Sequence, residues 1–277
     1  MNFKIDWSEY AHIYNDLYTS GILTEHCKDY IKFSYVKKVF DIIYKRLLVL
    51  PQLFSSLDDA LKTNDQAQFG SVTFNNGKSI VFIFEVRNED NHYASFNPFS
   101  TPYEMCINLT KINNLNQVTF STYLSSNAFK IFLFHEVTHF VQTLFYPFDE
   151  IIRSHRIEME GNYMKAPLEI EACLFMTLAD ALANGIELHS FDDTKQYLNS
   201  SIPNYLYTAK SVILKNEEAI QDIFNHNEMI ESMVDEAREM NDFAKFELYL
   251  KPCAKSTTRP ISYSERNYRF LKTGKFY

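Results

Sequence analysis

The stretch "FLFHEVTHFVQ", residues 132–142, sets two histidines and a glutamate, His135, Glu136 and His139, among Phe132, Leu133, Phe134, Val137, Phe140 and Val141. Polar groups in so apolar a run need partners, because burying an unpaired one is costly. The pattern predicts a helix. Ser125 or Ser126 offers its N-cap, and Pro147 forbids continuation beyond about Phe145.

On such a helix, residues four apart differ by only about 40° around the axis, so His135 and His139 project together, one turn apart. That is the geometry for two imidazoles on one zinc ion. Glu136 lies about 100° round from His135, within reach of a zinc-activated water without being a ligand. Zinc lowers the pKa of that water toward about 7, and a carboxylate beside it can take the proton. An HExxH string also arises by chance, and two histidines can be ordinary core residues. A single metal, however, satisfies all the buried polar groups together.

Zinc needs a third protein ligand and an open position for water. A continuation as HExxHxxGxxH is absent, since Gln142 and Phe145 occupy the corresponding positions. His155, 16 residues after His139, sits between Arg153 and Arg156 in a stretch that reads as surface. Glu158 follows His139 after 18 intervening residues, but "RSHRIEMEGN" reads as an exposed loop or short helix. The stronger candidates are Glu169 and Glu171 in "YMKAPLEIEACLFM", residues 163–176. Pro167 is a good first-turn residue, and Asn184-Gly185 is a natural end for the helix. Acids in a first turn can simply complement the helix dipole. This helix is apolar nearly all round, however, and buried carboxylates want a charge partner. The two glutamates are about 200° apart, so only one faces a metal. Glu169 is preferred, because Ala172 and Cys173 on its face permit close approach to the HEVTH helix; Glu171 and Glu158 stay as alternatives.

HEVTH, a connection of some 25–30 residues, and then "PLEIEA" opening an apolar helix resemble the gluzincin side of the zincin-like metallopeptidases, in particular small bacterial and phage members. The "EIEACLF" portion is also similar to the IrrE- and ImmA-type regulatory peptidases. The resemblance covers roughly residues 70–185, and only HEVTH within it is highly specific. It implies His135, His139 and Glu169 as zinc ligands, Glu136 as base, and a sheet whose edge strand binds substrate in extended form. One departure stands out. Gluzincins often carry Asp or Asn four residues after the ligand glutamate, supporting a ligand histidine; here that position is Cys173. Either that support is built differently, or another glutamate is the ligand.

Composition bounds the rest. With 277 residues, 46% hydrophobic and 22% charged, the chain reads as globular and able to bury a real core. Six glycines and no GxGxxG or GxxxxGK[ST] string argue against a phosphate loop. A net charge of -8 argues against nucleic-acid binding. The exception is 251–277, where Lys251, Lys255, Arg259, Arg266, Arg269, Lys272 and Lys275 face only Glu265; this reads as a solvated basic tail, or as a source of a substrate-binding Arg266 or Arg269. Cys27, Cys106, Cys173 and Cys253 form no CxxC pair and read as reduced thiols. With no signal-like N-terminus and no apolar run near 18 residues, the expectation is a cytoplasmic protein without a membrane role; secretion by a signal-less route stays open.

The expected architecture is α+β, zincin-like, in one domain over 1–277: helical over 1–65, a catalytic core over 66–185, and a helical part with the basic tail over 186–277. "SVTF" and "SIVFIFEV" around "NNGK" predict a hairpin, and "YEMCINLTKI" a further strand. "SIVFIFEV" could be the substrate-binding edge or an interior strand. "NEMIESMVDEAREMNDFAKFELYL" reads as helix. The expected activity is zinc-dependent endopeptidase hydrolysis of a peptide or protein substrate. Tyr163, Tyr205, Tyr207, His189, His226 and Arg266 are unranked candidates for stabilising the oxyanion. A regulatory or binding protein on the same scaffold, and an effector or toxin protease with one target, are the alternatives.

Overall fold

The computed structural model describes residues 31, 33–48, 57–58, 60, 62, 66–73, 79–85, 93–100, 102–109, 117–146, 148–231 and 249–251. In chain order these include helix α1 (Phe33–Leu47) and strands β1 (Gln66–Thr73), β2 (Ser79–Glu85), β3 (Ala94–Asn97) and β4 (Tyr103–Asn108). Helices α2 (Gln117–Ser125), α3 (Asn127–Phe145) and α4 (Phe148–Ile157) follow, then a π turn (Glu158–Asn162) and a 3-10 turn (Tyr163–Lys165). The last elements are α5 (Pro167–Ala183), α6 (Phe191–Asn199), a 3-10 turn (Asn204–Leu206), α7 (Tyr207–Ile213), α8 (Glu217–Glu231) and β5 (Tyr249–Lys251). The class is α+β, mostly helical with a small mixed sheet. The described residues fall into two compact units, one drawn from 43–122 with 249–251, the other from 31–42 and 123–231.

The first unit carries the sheet, in the order β3-β4-β2-β1-β5. β1 and β2 pair antiparallel, with Thr73 opposite Ser79, as a hairpin requires; the NNGK turn itself lies outside the described residues. β2 and β4 run parallel, and β3 pairs antiparallel with β4. "SIVFIFEV" is therefore not an edge. β2 is the central strand, and Ile80–Glu85 are all buried. Its unbroken apolar run, without alternation, suits a strand covered on both faces. β3 has no counterpart in the expected elements. Its turn into β4 is closed by Asn97, whose Oδ1 accepts from the Phe99 amide at 3.0 Å, a local bond typical of Asn in turns. The reading of "NEMIESMVDEAREMNDFAKFELYL" as helix holds in α8, described as far as Glu231, and is corrected at Tyr249–Lys251, which pair with Ser71–Thr73 of β1; residues 232–248 lie outside the described residues.

The second unit holds the HEVTH helix, α3. Ser126 caps it by accepting from the Phe129 amide at 3.2 Å, and the Tyr146 amide closes on Gln142 at 2.8 Å before Pro147. Phe129, Ile131, Leu133, Phe134, Val137, Phe140 and Val141 are buried. Phe33 stacks within 5.6 Å of both Phe134 and Phe175, so α1 packs on α3 and α5. α5 begins at Pro167, which has no N–H to satisfy, and its next amide, Leu168, donates to Ser154 Oγ at 3.1 Å. It ends in a Schellman motif: Ile186 donates to the Ala181 carbonyl and Gly185, at φ 75°, to that of Leu182.

Among the described residues no helix is long and apolar enough to cross a membrane.

Candidate metal centre

α3 and α5 pack against each other, and their contact brings three donor side chains together. His135 and His139, one turn apart on α3, have Nε2 atoms 3.0 Å from one another. Glu169, in the first turn of α5, places Oε1 3.2 Å from His139 Nε2 and Oε2 3.4 Å from His135 Nε2. Among the described residues this is the one group of three His, Cys, Asp or Glu side chains whose donor atoms converge as metal ligands do. It is buried, with His135 9% and Glu169 7% exposed. His135 Nδ1 and Glu169 Oε2 have no hydrogen-bond partner within the described residues. A cation at the point where the three side chains meet would satisfy the Glu169 oxygen and both Nε2 lone pairs.

The electrostatics are those of a site built for positive charge. Burial alone would raise the Glu169 pKa, but the two imidazoles overcome this and hold it well below the usual carboxylate range. Burial alone would lower the His139 pKa; the charge and hydrogen bonding of Glu169, with Glu136 and Gln142 adding to them, carry it up to about 10. Glu136 is half-buried, and its influence on His139 puts its charge beside the cluster.

The other glutamates lie elsewhere. Glu171 is not one of the converging donors, in keeping with the angle between it and Glu169. It is 3% exposed, and its oxygens accept from Gln142 Nε2 and the Tyr146 hydroxyl, each at 2.8 Å. Glu158, on the π turn, has Oε2 3.1 Å from His155 Nδ1. His155 itself corrects the expectation of a surface residue. The segment is helical, and Ile151, Ile152 and His155 share a buried face while Arg153 and Arg156 stay outside. Cys173 is a buried free thiol next to Glu169, whose charge adds to burial in raising the thiol pKa.

At the position four residues after Glu169, Cys173 offers His139 no carboxylate; the other ring nitrogen of His139 has a different neighbour. His139 Nδ1 lies 2.8 Å from Gln142 Oε1 on its own helix. Gln142 was legible as the next polar residue on that face, three positions after His139, although sequence reasoning used it only to exclude a longer motif.

Of the candidates for an oxyanion donor whose side chains are described, Tyr163 stands at the cluster. Burial raises its pKa well above normal, and the neighbouring Glu169 raises it further, so the hydroxyl keeps its proton. Tyr205 is engaged elsewhere: it and Tyr197 each donate to buried Asp180 at 2.6 Å. Tyr207 is 57% exposed, and His189 is exposed beside Glu187. His226 lies on α8, and Arg266 and the rest of the basic tail beyond Lys251 lie outside the described residues.

Comparison of the chain with protein-family models, with curated proteins and with solved structures finds no match.

Proposed function

We propose that the chain is a zinc-dependent metallopeptidase of zincin-like type, with His135, His139 and Glu169 holding the metal and Glu136 as general base. The observation that carries this reading is the convergence of two helical imidazoles and one carboxylate on a single buried point, with Glu136 next to them in sequence. Two imidazole nitrogens and one carboxylate are a donor set of catalytic zinc, which keeps a further position open. Donors about 2.0–2.1 Å from a tetrahedral ion stand about 3.3 Å apart; separations of 3.0, 3.2 and 3.4 Å suit it.

Zinc bound there supplies Lewis acidity, polarising a peptide carbonyl and easing ionisation of water near pH 7. The protein's own part is proton transfer and positioning. A Glu136 carboxylate oxygen takes the water proton and hands it to the leaving amine nitrogen. The Tyr163 hydroxyl, protonated at neutral pH, donates to the developing oxyanion.

Metal analysis of purified protein tests the reading, with about one zinc per chain expected, lost in His135→Ala. Wild-type protein without a tightly bound divalent metal overturns it. Cleavage of casein or a peptide library then separates a peptidase from a metal-dependent binding protein.

A further inference from the structure

Gln142 is held at three points. Its Nε2 lies 3.0 Å from the Leu168 carbonyl and 2.8 Å from Glu171 Oε2, and its Oε1 lies 2.8 Å from His139 Nδ1. A backbone carbonyl only accepts hydrogen bonds, so the amide group must face Leu168 with its NH2. This fixes the orientation of the side chain without reference to any neighbouring protonation state. Glu171 reinforces it and is itself held by Tyr146, whose oxygen in turn accepts from the Ile31 amide at 3.1 Å. With NH2 committed to α5, Gln142 can offer His139 only an oxygen.

From this we infer that Gln142 is a positioning residue: it fixes His139 in the form that carries hydrogen on Nδ1 and leaves the Nε2 lone pair for the metal. The inference rests on the metal-site reading above and deepens it. The opposite amide orientation would present NH2 to Nδ1, place the imidazole hydrogen on Nε2, and block the metal. A ligand histidine is ordinarily oriented by an acceptor on its other nitrogen, and loss of such a partner typically weakens metal binding about 10–100-fold. Here the acceptor comes from three residues along the same helix, and its direction is set by α5. The helix that supplies Glu169 thus also sets the protonation pattern of His139.

Zinc affinity, measured by chelator competition on the full chain, provides the test. Gln142→Leu keeps the size but removes the acceptor, and a fall of about 10–100-fold is expected. Gln142→Glu sets two buried carboxylates against each other and is also expected to lose affinity. The exchange variant Gln142→Glu with Glu171→Gln restores an amide–carboxylate pair and an acceptor for His139 but leaves the Leu168 carbonyl without its donor, so it should regain part of the affinity lost in Gln142→Glu. That recovery is not expected of a merely space-filling residue. The nitrogen NMR signature of His139 in the zinc-loaded wild type should show hydrogen on Nδ1 and metal on Nε2. Should Gln142→Leu not fold, this spectrum decides. Unchanged affinity in Gln142→Leu, or hydrogen on Nε2 in the loaded wild type, overturns the inference. Wild-type protein that binds no zinc overturns the metal-site reading instead.

Discussion

The Nε2 atoms of His135 and His139 stand 3.0 Å apart in a buried site, facing the carboxylate of Glu169. Without a metal, a proton must occupy that junction, and the raised His139 pKa of about 10 expresses this. Because the folded value lies above the ordinary 6.5, the His139–Glu169 contribution to metal-free stability is complete below about pH 6.5. It is lost as pH rises through about 10. A metal must displace the same proton. Zinc affinity is therefore expected to rise about tenfold per pH unit between pH 6 and 8.5, with about one proton released per ion. Calorimetric titration in buffers of different ionisation enthalpy measures the release. A pH-independent affinity with no proton released would contradict it.

The proposed function gives Glu136 and Glu169 different tasks, and isosteric amides separate them. Glu136→Gln should retain zinc and lose about 10²–10⁴-fold in turnover, the usual worth of a general base. Glu169→Gln should lose zinc as well as turnover, since a neutral amide oxygen replaces a charged ligand. Zinc content and peptide cleavage measured on the same preparations check both. Full hydrolysis in Glu136→Gln would remove it as base, and full zinc content in Glu169→Gln would remove it as ligand.

Tyr163 is expected to act late. Its hydroxyl remains protonated beside Glu169, so Tyr163→Phe, assayed with zinc in saturating excess, should reduce turnover by about 10²–10³, the cost of one oxyanion donor. The loss should fall on kcat more than on KM, because the charge it stabilises exists only in the transition state. Steady-state kinetics decides. A change confined to KM would assign Tyr163 to substrate binding.

The parts of this arrangement that were legible in the sequence are those governed by local rules. Ser126, Pro147, Pro167 and Gly185 mark the ends of α3 and α5 through capping and proline geometry, and helical spacing alone pairs His135 with His139. What escaped depends on distant partners. Strand order is set by pairings far apart in sequence, so "SIVFIFEV" could be read as edge or centre until β4 and β1 were seen on its two sides. β3 and β5 are four and three residues long, too short for periodicity to register. The burial of His155 follows from the packing of α4, which outweighs its two arginine neighbours. Glu171 was weighed as a ligand because a buried carboxylate needs partners; the partners turned out to be Gln142 and Tyr146.

Those partners only partly offset the burial of Glu171. Burial raises its pKa, hydrogen bonds from Gln142, Tyr146 and the Ile31 amide pull it back, and the result is about 7 against an ordinary 4.5. With the folded value raised, the group's contribution is fully present below about pH 4.5 and lost as pH rises through about 7. The ionisation penalty above that range is on the order of 3 kcal/mol. Glu171→Gln cannot ionise. Metal-free wild type and Glu171→Gln should therefore have similar unfolding free energies near pH 4.5, and the variant should gain relative to wild type as pH rises through about 7, with no further gain above it. Glu171 and His139 attract each other only as the smallest of the influences on Glu171, so below about pH 8 the His139–Glu169 pair contributes nearly equally to both proteins. Tyr146→Phe, which removes one donor to the carboxylate, should move the midpoint of the wild-type loss to higher pH. Urea unfolding at a series of pH values measures all three, and parallel profiles for wild type and Glu171→Gln would show that Glu171 does not titrate in this range.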